Sequence, residues 1–238
     1  MRWLRSALFN VLFFAWNALV LTLSLPLGLV PRGAMLRSAR LITSGSHFLL
    51  RHVIGLTYEV RGDLSLLQQP VIVACKHQSA WDTFIFYRLA RDPAYVMKKE
   101  LMLIPIYGWL ARKQRMIPID RKAGASALRG LLRAAEAALA ERRQIVIFPQ
   151  GTRMAPGSRS PYQPGIAALY ARLGVPVVPV ALNSGCFWPR RSFVKYPGRM
   201  VLELLEPIAP GLPKAKFMAE LESRIEAATA RLEAEARV

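Results

Sequence analysis

Acid is what this chain has least of. Its 238 residues carry 15 Asp and Glu against 33 Lys and Arg, for a formal net charge of +18. Residues 1–50 hold five arginines and no acid at all, whereas residues 214–238 hold five basic and five acidic residues and are neutral. Most of the excess therefore lies in the middle of the chain. Such a surface suits nucleic acid, anionic lipid or a phosphorylated substrate. Zinc-finger cysteine spacing, a basic coiled coil and an RNA-binding aromatic motif are all missing, which argues against nucleic acid as the partner. Cysteine is scarce too. Cys75 and Cys186 are the only two, both in apolar stretches, and they read as reduced thiols rather than a disulfide or a metal pair. The three histidines, His47, His52 and His77, show no common ligand spacing, so no metal site is expected. There is no internal repeat and no low-complexity linker.

What the chain has in quantity is apolar sequence, with a hydrophobic fraction of 53% and five tryptophans. From Ser6 to Pro31 no residue is charged, and Ala7 to Leu25 is broken only by Asn10, Asn17, Thr22 and Ser24. As a helix rising about 1.5 Å per residue, this stretch approaches the ~30 Å of a bilayer core. Pro26, Gly28 and Pro31 end it. A second helix is expected from about Ala34 to Arg51, with Arg37, Arg40 and His47 among apolar residues, as in a helix lying at a headgroup interface. Arg2 and Arg5 resemble the start of a secretory signal. The apolar run is long, however, and no small-x-small cleavage site follows, so a retained anchor is expected. Arginines flank the segment on both sides, so their asymmetry does not set an orientation.

After residue 55 short β-rich runs alternate with helices. Strands are expected at Leu56–Arg61, Val71–Cys75, Ala94–Lys98, Met116–Ile119, Ile145–Phe148, Val177–Leu182 and Met200–Leu205. Several are continuous apolar runs, as in strands covered on both faces. A helix is expected from Ala125 to Arg143. A last helix, Lys214 to Arg237, alternates Glu and Arg and reads as a solvated surface helix. The fold class is α/β, a mixed, mostly parallel sheet of about seven strands flanked by helices. Residues 1–54 form a membrane-associated helical part and residues 55–238 the α/β domain.

The chemistry concentrates in four segments. Lys76-His77-Gln78-Ser79-Ala80-Trp81-Asp82 follows an apolar strand. A histidine at a strand end with a carboxylate five residues on makes a general base, because the carboxylate holds one ring nitrogen as N–H and leaves the other to take a proton. Taken alone, the pair arises often by chance, and His77 by itself reads rather as a satisfied buried histidine. Three further segments stand downstream in order: Met116-Ile117-Pro118-Ile119-Asp120-Arg121, Phe148-Pro149-Gln150-Gly151-Thr152-Arg153 and Val175-Pro176-Val177-Val178-Pro179-Val180. Gly151 lets backbone approach a ligand closely, and Arg153 offers a planar fork matched to phosphate oxygens.

The ordered set resembles the glycerolipid acyltransferase family, in particular the bacterial lysophosphatidate acyltransferases. The resemblance spans residues 76 to 180. It implies transfer of an acyl group from a thioester to the hydroxyl of lysophosphatidic acid, with His77 as base and Asp82 fixing its tautomer, and without a covalent acyl-enzyme. Gly151, Thr152 and Arg153 would bind the glycerol phosphate, with Arg121 and Lys98 as further phosphate contacts and Asp120 orienting Arg121. One of Lys98 and Lys99 reads as a solvated strand end. Ser79 reads as a helix-start hydrogen-bond acceptor rather than a nucleophile. Trp81 and Phe84 are either acyl-path lining or core, and Val175–Val180 is taken as structural strand rather than pocket wall. No cofactor is implied; the co-substrate would be acyl-CoA or acyl-carrier protein, both acidic. The family also implies an N-terminal hairpin dipping into one leaflet, at the cytoplasmic face of the inner membrane. Two positions depart from the family pattern. Gln150 stands where glutamate is usual. Lys76 stands where asparagine is usual, and its charge is expected to lower the His77 pKa. A different lysolipid acceptor, such as lyso-ornithine lipid, and a non-catalytic lipid-binding protein remain as other readings.

Overall fold

The computed structural model describes residues 1–26, 32–120 and 123–236. The expected breakers Gly28 and Pro31 lie outside the described residues. Helix α1 (Arg2–Leu23) is mostly apolar beyond Arg5 and buries only Ser6, Phe9 and Val20. Helix α2 (Arg32–Leu49) turns a stripe of Met35, Ala39, Thr43 and Ser46 inward at helical spacing. The two helices pack side by side because Gly45 has no side chain: a Cβ there would meet the Trp16 indole at 2.2 Å. The Trp16 N–H donates to the Ile42 carbonyl at 3.2 Å. Phe9 and Phe13 meet Trp188 edge-on at 5.5 and 5.6 Å. Arg5 donates to the Val53 carbonyl at 2.7 Å, so α1 is fastened to the rest of the molecule at its first turns. Its other face leaves Leu4, Leu8, Val11, Phe14 and Leu19 exposed.

A π-helical turn, Leu50–Ile54, leads through Gly55 into β1 (Leu56–Arg61). Strands β2 (Ile72–Cys75), β3 (Pro93–Lys98), β4 (Ile117–Ile119), β5 (Gln144–Ile147), β6 (Val177–Leu182) and β7 (Gly198–Leu204) complete one sheet in the order β1-β7-β6-β2-β5-β3-β4. Every pairing is parallel except β6 with β7. This is the mixed, mostly parallel seven-stranded sheet expected from the sequence. The central strands β2, β5 and β6 are buried along their whole length. Val73, Val146 and Val178 face one layer, containing Phe9 and α3 (Asp82–Leu89). Ile72, Ala74, Ile145 and Val177 face the other, formed by α5 (Gly124–Ala140), α6 (Gly165–Leu173) and α8 (Lys214–Glu235). Val175–Val180 accordingly ends in a core strand, and none of its residues lines the cleft described below. The short helices α4 (Tyr107–Lys113) and α7 (Ser184–Phe187) follow β3 and β6.

Two expectations are corrected. Helix α5 stops at Ala140 rather than Arg143: Arg142 adopts a left-handed φ of 57°. The Arg143 guanidinium then turns into the core, where it meets Asp92 at 3.3 Å and donates to the carbonyls of Pro93, Gln114 and Arg115. The last helix is not a solvated surface helix. Phe217, Leu221, Ile225 and Leu232 are wholly buried, and Glu226, Thr229 and Glu233 also point inward. Its Arg/Glu alternation does form exposed pairs, Arg224 with Glu220 and Arg231 with Glu235, but on the outer face only.

Candidate active site

In a largely parallel sheet, ligands bind beyond the carboxyl ends of the strands. Here the neighbours β2 and β5 end side by side, with Ala74 paired to Ile147. The turn after β2 carries His77, and the turn after β5 carries residues 148–153. Helix α3 begins at Asp82, so its carboxylate sits in the first turn, where the helix dipole favours negative charge. That carboxylate is fully buried. Oδ2 accepts from the backbone N–H groups of Gln78 (2.7 Å) and Ser79 (2.8 Å) and lies 3.0 Å from His77 Nδ1. Oδ1 accepts from the Ser184 hydroxyl at 2.6 Å. With both oxygens committed as acceptors, His77 Nδ1 must carry the hydrogen, and Nε2 is the basic nitrogen. Ser79 behaves as expected of a helix-start residue: its hydroxyl oxygen accepts from the Trp81 N–H at 3.2 Å.

The two turns are stitched together. The His77 carbonyl accepts from the Met154 N–H at 2.8 Å, and the His77 N–H donates to Gln150 Oε1 at 3.3 Å. The His77 ring stacks on Phe148 with centroids 4.1 Å apart. Gly151 has φ of 71°, a left-handed conformation that favours glycine and turns the chain sharply before Thr152 and Arg153. Between the turns opens a cleft of about 820 Å³. It gathers His77, Lys98, Gly151, Thr152 and Arg153 from the sequence-predicted set, with Asp82 behind His77. Arg121 lies outside the described residues. Of the two adjacent lysines, Lys98 lines the cleft and Lys99 faces Asp120 at 3.5 Å. The Lys76 ammonium is buried and held by both oxygens of Glu226, at 2.8 and 2.7 Å.

Sequence reasoning missed Arg190 and Arg191, which bring two more cations to the cleft. Arg190 donates to the Arg153 carbonyl at 2.9 Å. The lining described thus carries four cations, Lys98, Arg153, Arg190 and Arg191, and no carboxylate, so the cleft attracts anions. Ser184 was missed as well. Both sites lie far along the chain from His77, and the only signal was the basic pair after Trp188-Pro189.

A family model described as acyltransferase matches residues 57–183, enclosing all four motifs. The chain belongs to the acyltransferase family. It is similar to the 1-acyl-sn-glycerol-3-phosphate acyltransferase of Pseudomonas aeruginosa, with 34% identity over 180 residues, covering 76% of this chain and 70% of that one. It is also similar to the Helicobacter pylori enzyme of the same name, with 31% identity over 160 residues, 65% of this chain and 66% of that one. Among solved structures, the 1-acyl-sn-glycerophosphate acyltransferase of Thermotoga maritima shares the fold with a TM-score of 0.79 at 20% identity, over 98% of both chains. The likeness in fold therefore extends over the N-terminal helices as well as the sheet.

This acyltransferase has a second, apolar cavity of about 270 Å³ beneath the two N-terminal helices. Phe13, Met35, Ala39 and Phe84 line it, and Ala80, Thr83 and Met97 border both it and the cleft. Phe84 is thus a cavity wall, whereas Trp81 belongs to the core. Trp81 is fully buried and donates its indole N–H to His47 Nε2 at 2.8 Å. Burial, reinforced by the nearby Arg88, pushes His47 down to about 4, which keeps that acceptor neutral.

Proposed function

We propose that the chain is a membrane-associated 1-acyl-sn-glycerol-3-phosphate acyltransferase that converts lysophosphatidic acid to phosphatidic acid. The observation that carries this reading is the His77–Asp82 pair set in a cleft whose lining, among the described residues, offers four cations and no carboxylate. The acceptor's phosphate lies against Arg153 and its neighbours, which brings the free sn-2 hydroxyl to His77. Nε2 takes the hydroxyl proton as the oxygen attacks the thioester carbonyl. The new C–O bond forms, the C–S bond breaks, and the thiolate departs and is reprotonated by the imidazolium. Asp82 supports that imidazolium through Nδ1. The acyl chain extends into the apolar cavity through the shared wall of Ala80, Thr83 and Met97. The donor is an acidic acyl thioester, acyl-CoA or acyl-carrier protein, which the basic surface attracts. The exposed apolar face of α1 lies in one leaflet with α2 at the headgroups, on the cytoplasmic face of the inner membrane, where such donors are made.

The test is acyl transfer by purified protein with lysophosphatidic acid and lyso-ornithine lipid offered side by side. Turnover of lysophosphatidic acid is expected to fall by about 10²–10⁴-fold in His77→Ala, and the KM for this acceptor to rise in Arg153→Ala. Turnover of lyso-ornithine lipid alone, insensitive to Arg153, would keep the mechanism and reject the acceptor.

A further inference from the structure

Among the described residues, the partners of the buried acids of α8 lie in one place. Glu226 holds Lys76 Nζ through both oxygens, at 2.8 and 2.7 Å, and accepts from the Tyr162 hydroxyl at 2.9 Å. Seven residues on, hence on the same face of the helix, Glu233 accepts from Gln78 Nε2 at 2.5 Å and from the Gly157 N–H at 2.7 Å. Lys76 and Gln78 are the residues immediately before and after His77. Gly157 and Tyr162 lie on the segment that continues from Arg153, and Lys76 also reaches the Ser158 carbonyl at 3.4 Å. Gln78 is pinned at its other end, because its Oε1 accepts from the Gly185 N–H at 3.1 Å. The helix does not need these acids for packing, since Phe217, Leu221, Ile225 and Leu232 already bury its apolar stripe. Placing charges in that interface is costly unless each is paired, and here every pairing runs to the base turn or to the loop that follows Arg153.

We propose that Glu226 and Glu233 are positioning residues for catalysis, clamping the His77 turn and the Arg153 loop at one fixed separation. The inference rests on His77 being the base. Neither acid touches the reacting atoms; each acts through the flanking residue it holds. The clamp also gives Lys76 a purpose. Its side chain is long enough to reach from the strand end to α8.

The experiment uses the full chain and compares wild type with Glu233→Leu, Glu226→Gln and the double variant Lys76→Met/Glu226→Gln, with Glu220→Gln on the exposed face as control. The double variant removes both charges together, so no ion is stranded in the interior. Two readouts are taken on folded protein: kcat and KM for lysophosphatidic acid, and the rate at which diethyl pyrocarbonate modifies His77, followed by peptide mass spectrometry with exposed His52 as internal reference. A misplaced base costs about tenfold to a hundredfold in rate. The expected result is that loss in kcat, with KM unchanged, for Glu233→Leu and for the double variant, together with a changed rate of His77 modification at constant His52 rate. Glu220→Gln should match wild type in both. Wild-type kcat and an unchanged His77 rate in the folded double variant and in Glu233→Leu would overturn the proposal, whatever their melting temperatures. Should wild type fail to acylate lysophosphatidic acid, the acceptor reading falls, while the His77 modification rates still decide the clamp.

Discussion

Gln150 shows how much one amide can do in place of a carboxylate. Its Oε1 accepts the His77 backbone N–H, while its Nε2 is buried with no partner. The useful half of the side chain is the oxygen, which a glutamate would also supply, and charge is not needed to hold the turn. An orphaned amide N–H₂ costs about 1–3 kcal/mol, so the position is imperfectly satisfied. Gln150→Ala removes the acceptor and is expected to lower kcat by about tenfold through misplacement of the base. Gln150→Glu keeps the acceptor but adds a negative charge beside the phosphate loop. Its kcat should stay near wild type while KM for the phosphate-bearing acceptor rises. Steady-state kinetics on the two variants separate these effects, and a wild-type kcat in Gln150→Ala would show that the side chain does not position His77. The residue types in the four motifs made this neighbourhood legible in the sequence. Ser184, Arg190 and Arg191 were not legible, because their partners lie far away along the chain: Ser184 caps a carboxylate 102 positions upstream.

At the level of elements, α2 contributes to the interior of the molecule. Met35, Ala39 and Thr43 from its buried stripe line the apolar cavity. Ala39→Leu fills part of that space. For the longest acyl chains it is expected to lower kcat/KM by about tenfold, the scale of one or two methylenes in an apolar pocket, and to spare short chains. Donors of graded chain length provide the measurement; an equal loss at every length would show that the cavity does not hold the chain. The strands were readable because a strand covered on both faces needs an unbroken apolar run, and β2, β5 and β6 have one. Helix α8 was misread for the opposite reason. Glu226 and Glu233 carry the same letters as the solvated acids around them, and only the location of Lys76 and Gln78 distinguishes inward from outward. The end of α5 was missed likewise, since Arg143 reads as a surface arginine until Asp92 and three carbonyls are found around it.

For the whole molecule, the proposed attachment to a bilayer rests on the exposed face of α1. Leu8 and Phe14 are 53% and 67% exposed, so replacing them leaves the packed face intact. Leu8→Asn/Phe14→Asn is expected to release the protein from both neutral and anionic vesicles in a sedimentation assay, whereas added salt should weaken only the anionic case. Retention of the double variant on neutral vesicles would show that this face of α1 does not hold the protein to lipid. The sheet order has a consequence of another kind, in the timing of synthesis. Strand β1 lies against β7 and on no other strand, and the Thr57 hydroxyl bonds the Gly198 carbonyl 141 positions later. A ribosome making about 5–20 residues per second thus delivers α1 and α2 long before β1 has anything to pair with. The apolar helices are complete first, β1 waits as an unpaired edge, and its pairing is a late, long-range closure of the kind that slows folding. Under the attachment of α1 to lipid proposed above, the newborn chain would be tethered before it is folded, and its most aggregation-prone interval would be spent on a surface rather than free in solution.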